Sequence, residues 1–107
     1  MSVEADSLRL RHAFFWMKLL RLTRGRISLV RAVEIIEEEE SHEEWARVIR
    51  QLRELMGQGR TLADAVCEQP AVFSLSVREL VVAAERSGAW EEIMQELADG
   101  LREGTFS

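Results

Sequence analysis

The sequence predicts an all-α fold, a compact antiparallel bundle of about six helices. Three observations predict it. Apolar residues recur at i, i+3, i+4 and i+7 through most of the chain, the spacing that gathers side chains on one face of a helix. The striped segments are bracketed by serine or threonine in front and glycine behind, residues that cap a helix start and take the left-handed turn at its end. Alternation of β-branched residues is scarce, tyrosine is absent and Pro70 is the only proline, so little favours strands.

Residues 1–6 are polar and read as a flexible N-terminus, residues 7–104 as one helical domain and residues 105–107 as a tail. The first helix is expected from Ser7 to Thr23, with Phe15, Leu19 and Leu22 on one face and Trp16 and Leu20 beside them. Ser28 caps a second helix whose Leu29, Ala32, Val33 and Ile36 face inward. Ser41 with Glu44 forms a capping-box pattern for a third, striped by Trp45, Val48, Ile49, Leu52, Leu55 and Met56 and ended by Gly57 and Gly59. Thr61 with Asp64 opens a short fourth helix carrying Leu62, Ala65 and Val66. It stops before Pro70, since the residue preceding proline is pushed out of the α region. Phe73 then plugs the bundle end. Ser76 with Glu79 repeats the capping pattern for a fifth helix, whose Val77, Leu80, Val81 and Ala84 lead to Gly88. The sixth runs from Ala89 to Gly104, with Trp90, Ile93, Leu97 and Leu101 as its stripe and Met94 and Ala98 widening it. Short connections between amphipathic helices favour antiparallel neighbours.

At 107 residues the chain is one domain by size, and 47% apolar with 31% charged residues is an ordinary globular balance. No run approaches the roughly 20 apolar residues that span a bilayer, and no signal-peptide pattern follows Met1, so a cytoplasmic location is expected. Cys67 has no second cysteine to pair with, and its apolar neighbours Ala65 and Val66 predict a buried or half-buried thiol.

Charge is segregated. Between Leu8 and Ala32 there are bases and no acids: Arg9, Arg11, Lys18, Arg21, Arg24, Arg26 and Arg31. Between Val33 and Glu44 there are acids and no bases: Glu34, Glu37, Glu38, Glu39, Glu40, Glu43 and Glu44. Side by side, the first two helices would neutralise much of this on solvated faces, each exposed pair contributing only about 0.2–1 kcal/mol. What remains forms opposite patches that orient a protein partner, and Arg21, Arg24, Arg26, Glu37, Glu40 and Trp90 are the candidate contacts. A net charge of −5 and a second helix ending in glutamates argue against nucleic acid. Of the glutamates, only pairs such as Glu37 and Glu40 converge on a helix surface, and no calcium-loop pattern accompanies them, so no metal is expected. His12 and His42 read as surface residues. With no phosphate loop or nucleophile elbow, neither catalysis nor a cofactor is expected.

Three blocks carry a family resemblance: Phe15–Val33 (FWMKLLRLTRGRISLVRAV), Gly59–Val66 (GRTLADAV), and Pro70–Phe73 (PAVF) with Glu85–Gly88 (ERSG) beyond it. In this order and spacing they resemble the cytoplasmic domain of the type II secretion system F protein family, the inner-membrane platform proteins of secretion machines and type IV pili. The matching motif positions are Gly59, Leu62, Ala65, Pro70, Phe73, Glu85, Ser87 and Gly88. Arg26 stands where the family has glycine, Ala84 where a glycine precedes the glutamate, and Trp90 where it has leucine.

The resemblance implies a six-helix, non-enzymatic protein-interaction domain. It also implies a cytoplasmic assembly ATPase or another inner-membrane component as partner. A twofold homodimer is a further expectation from the charge pattern, since isologous pairing would place the basic first-helix strip near another copy's glutamates. Platform proteins carry two such domains separated by membrane helices, and this chain has one domain and no such helix. Both a free-standing chain and a part of a longer membrane protein, held at the inner face of the inner membrane, fit that pattern. Glu85 is expected to accept hydrogen bonds from an arginine or a helix start and so hold its turn. The alternative reading is a small regulatory bundle that binds nucleic acid or a ligand.

Overall fold

Each apolar stripe becomes a helix, because no single helix can hide its own apolar face and packing neighbours supply the cover. The computed structural model describes residues 3–105. In it α1 spans Val3–Arg24, α2 Leu29–Glu39, α3 Glu43–Gly57, α4 Leu62–Cys67, α5 Leu75–Ser87 and α6 Trp90–Glu103. Helix α1 thus begins ahead of the expected Ser7. Residues 1 and 2 of the expected flexible N-terminus, and 106 and 107 of the tail, lie outside the described residues. Consecutive helices pack on one another, and α1 closes the ring against α6 as well as against α2. The radius of gyration, 12.7 Å, is close to the about 13 Å expected of a folded chain this long. Among the described residues, no helix is long and apolar enough to cross a membrane.

Two of the four expected capping residues are in place. Ser28 Oγ accepts from the Arg31 amide (3.2 Å) and Thr61 Oγ1 from the Asp64 amide (3.0 Å). The other two caps are displaced. Helix α3 is capped by His42, whose Nδ1 accepts from the Trp45 amide at 3.1 Å, one residue after the expected Ser41. Helix α5 is capped by Ser74, two residues before the expected Ser76, with its Oγ accepting from the Val77 amide at 3.4 Å. The physical reason in α5 is Phe73. Its ring is buried in the core, so the chain must turn immediately behind it, and Ser76 is already helical.

The core is continuous from Phe15, Trp16 and Leu19 of α1 through Val33 and Ile36 of α2, Trp45, Ile49 and Leu52 of α3, and Leu62, Ala65 and Val66 of α4. Val77 and Val81 of α5 and Met94, Leu97 and Leu101 of α6 complete it. Phe73, carried on the α4–α5 connection, reaches into this core. Its ring centroid lies 6.2 Å from that of Trp45, 6.5 Å from Trp16 and 5.6 Å from His12. The indole N–H of Trp16 is buried with no acceptor among the described residues, a donor whose desolvation costs roughly 1–3 kcal/mol.

Two sequence expectations are corrected here. His12 is not a surface residue. Its ring stacks on Trp45 with centroids 4.2 Å apart, and burial pushes its pKa down to about 4, since the imidazolium would lose its water. Cys67 is exposed rather than buried. In α4 the buried positions are Leu62, Ala63, Ala65 and Val66, which leaves Asp64 and Cys67, three residues apart, together on the outer face.

Candidate docking surface

The candidate cations lie at the C-terminal end of α1 and in the turn to α2. That turn is a Schellman closure: the Ile27 amide donates to Leu22 O (3.2 Å) and the Arg26 amide to Thr23 O (3.0 Å). The half-buried side chains of Leu22 and Ile27 both pack against the core. The geometry requires a left-handed residue at Arg26, and its φ is 67°, the only positive φ at a non-glycine among the described residues. Arg26 therefore holds a conformation that glycine would adopt freely. Its side chain, like that of Arg21, is exposed and makes no ion pair among the described residues. Arg24 differs: its Nε donates to Glu91 Oε1 of α6 at 3.2 Å.

The acidic candidates are engaged by arginines rather than open to a partner. Glu37 accepts from Arg53 Nε and, at 3.2 Å, from Arg50 Nε, both on α3. Desolvation raises the Glu37 pKa, but hydrogen bonds and charge from Arg53 and Arg50 outweigh it and hold the group below the usual carboxylate range. Glu40 accepts from Arg11 Nη1 of α1 at 2.9 Å and from the His42 amide at 3.2 Å. Glu39 accepts from Lys18. The neutralisation expected between α1 and α2 is thus formed by Lys18–Glu39 and Arg11–Glu40, while Glu37 turns to α3. Among the described residues, no group of three or more His, Cys, Asp and Glu side chains is placed to hold a metal ion.

Between α1, the end of α2 and the start of α3 lies a groove of about 310 Å³. Phe14, Phe15, Met17, Ile36 and Trp45 contribute its apolar lining and Arg11, Lys18, Arg21 and Glu40 its charged lining. Phe14 is 58% exposed, with Leu10 exposed one turn before it. Sequence reasoning did not single out Phe14, because the inward stripe of α1 already accounted for its apolar residues. The signal was present: Leu10, Phe14, Met17 and Arg21 recur at helical spacing on a second face. Trp90, a candidate anchor, is half-buried against the core and lines a smaller recess with Thr23, Arg24, Leu29 and Met94. It is not the exposed indole considered from the sequence, because the ends of α1 and α6 meet there.

The motif residues serve turns and core. Gly59 has φ 90° and closes α3, with the Arg60 amide reaching Leu55 O at 3.1 Å. Leu62, Ala65 and Phe73 are buried, and Pro70 sits exposed in the turn after α4. Gly88 takes φ 79° at the end of α5, its amide on Ala84 O at 2.8 Å. Ser87 ties the turn together, donating its hydroxyl to Ala83 O (2.7 Å) and accepting from the Ala89 amide (3.1 Å). Glu85 forms none of the expected hydrogen bonds among the described residues and is exposed. Ser87 holds the turn instead.

Taken together, these features define a small all-helical domain whose special residues serve its caps, turns and surface charge. The family model described as Type II secretion system (T2SS), protein F, matches residues 15–105, a span that includes all three motif blocks. The chain belongs to that family.

Proposed function

We propose that the chain is a non-enzymatic docking domain of a secretion or pilus machine, binding an assembly ATPase or another inner-membrane component on the cytoplasmic side of the membrane. Family membership supplies the setting. The observation that carries the docking role is the cationic end of α1, where Arg21 and Arg26 are exposed and make no ion pair among the described residues, while Glu37 and Glu40 at the end of α2 are engaged by other arginines. Cations left over in this way set partner orientation and association rate more than fold stability. A second copy of the chain belongs to the same reading, as one more acidic surface that this end could meet.

The test is affinity capture of the tagged chain from its source organism, with bound proteins identified by mass spectrometry. Recovery of a secretion or pilus machine component, weakened by the double reversal Arg21→Glu with Arg26→Glu, is the expected result. Recovery of such a component undiminished by the reversal would remove the cationic end from the contact. Recovery of unrelated proteins alone would remove the machine role.

A further inference from the structure

The groove beside α1 combines three properties that seldom coincide on an ordinary solvated face. It is concave, with buried Phe15, Ile36 and Trp45 beneath it. Its lip carries a phenylalanine, Phe14, that the described residues leave exposed. Its charged lining holds three cations and one carboxylate, and that carboxylate, Glu40, is already neutralised by Arg11. Lys18 is shared with Glu39, so Arg21 is the lining cation left without an ion pair among the described residues, on a chain whose net charge is −5.

We propose that this groove is a docking site for an acidic amphipathic helix of a partner protein, with Phe14 as the apolar contact and Arg11, Lys18 and Arg21 as the flanking charges. The inference rests on the docking role proposed above and names its surface and the chemistry of the segment that fills it. Arg11 and Arg21 lie three turns apart on α1, about 15 Å at a rise of about 1.5 Å per residue. That length matches a helical segment of about ten residues laid along α1. Such a segment would place its apolar face over Phe14 and Met17 and its acids toward the cations, the helix-in-groove mode of recognition. Arg21 is the strongest of the three charges, because Lys18 is shared with Glu39 and Arg11 with Glu40. A flat anionic bilayer fits less well. It would not enter a concave recess, and it would be repelled by the remainder of this acidic surface.

The experiment is a display selection of random helical peptides on the full chain, with counter-selection on Phe14→Ser. The exposure of Phe14 lets that variant fold, and its far-ultraviolet circular dichroism verifies this. The expected result is enrichment of peptides with net negative charge and two large apolar residues one turn apart. Fluorescence anisotropy then shows at least tenfold weaker binding of those peptides to Phe14→Ser and to Arg21→Glu. Replacing only the peptide acid whose binding depends on Arg21 by lysine restores binding to Arg21→Glu. No enrichment over the counter-selection, enrichment of neutral or basic peptides, or indifference to Arg21→Glu overturns the proposal. Phe14-dependent cosedimentation with phosphatidylglycerol vesicles in place of peptide binding assigns the surface to a membrane and also overturns it. A concentration-dependent dimer dissociated by Phe14→Ser assigns it to a second copy, with the same consequence. Machine capture that survives Phe14→Ser leaves the family role standing without this groove. Selection of acidic helices without machine capture leaves the groove standing without that role.

Discussion

His12 and Trp45 lie ring on ring, with centroids 4.2 Å apart and planes inclined by 30°. The same tryptophan donates its backbone N–H to His42 Nδ1 at 3.1 Å, so two histidines meet one residue at the start of α3. Burial beside these rings withdraws water from His12 and so favours its neutral imidazole, while the His42 ring serves as the cap of α3.

Burial lowers the His12 pKa from 6.5 to about 4. The folded state therefore binds this proton more weakly than the unfolded chain does. The stabilisation is complete above pH 6.5 and is lost as the pH falls from there toward 4, amounting to roughly 2–3 kcal/mol. Urea unfolding of the wild type and His12→Phe at pH 7.5, 5.5 and 4.5 measures it. The stability difference between the two proteins should shift toward the variant as the pH drops. Parallel losses in both would show that His12 is not the group responsible. Glu37, held below the usual carboxylate range, contributes in a lower window in both proteins, its stabilisation disappearing as the pH falls below about 4.5.

Arg26 sits at φ 67° in the Schellman turn that ends α1. A left-handed residue with a Cβ is strained by roughly 1–2 kcal/mol, offset in part by the greater unfolded-state freedom of glycine. Arg26→Gly is therefore expected to stabilise the domain by roughly 0.5–1 kcal/mol and raise its melting temperature by about 2–8 °C. Thermal unfolding followed by circular dichroism measures this, and an unchanged or lower midpoint would contradict it.

Gly57 and Gly88 should respond to alanine with opposite signs. A Cβ at either would meet nothing within 4 Å, so packing does not decide the outcome. Gly57 is the last residue of α3, where alanine gains helix propensity and loses less entropy, for about 0.5–1 kcal/mol of stabilisation. Gly88 is left-handed at φ 79°, and Gly88→Ala should cost about 1–2 kcal/mol. Denaturant midpoints of the two variants check both signs.

Glu85 is exposed in the last turn of α5, near the negative end of the helix dipole, with no hydrogen bond among the described residues. Glu85→Gln should change stability by less than about 0.5 kcal/mol, with any gain in the stabilising direction. A loss of more than about 1 kcal/mol in urea unfolding would reinstate Glu85 as the residue that holds the turn.

Apolar spacing, divided by its flanking caps, glycines and Pro70, located the six helices of the described residues and their inward stripes, because that pattern repeats within two turns and needs no partner to define it. Gly59 and Gly88 marked helix ends for an equally local reason, since the left-handed residue that closes a helix is a property of one position. The family too was legible, in ordered blocks between Phe15 and Gly88. Pairings across helices were not. That Glu37 bonds Arg53 on α3 rather than a base on α1, that His12 stacks on Trp45, and that Phe14 lines a groove with Ile36 and Trp45 all depend on how far each helix is rotated against its neighbours. Tertiary structure alone decided these. Packing of the core selects the rotation, and a side chain about 100° around the axis from the buried stripe can end in a groove, a salt bridge or water without any change in local pattern.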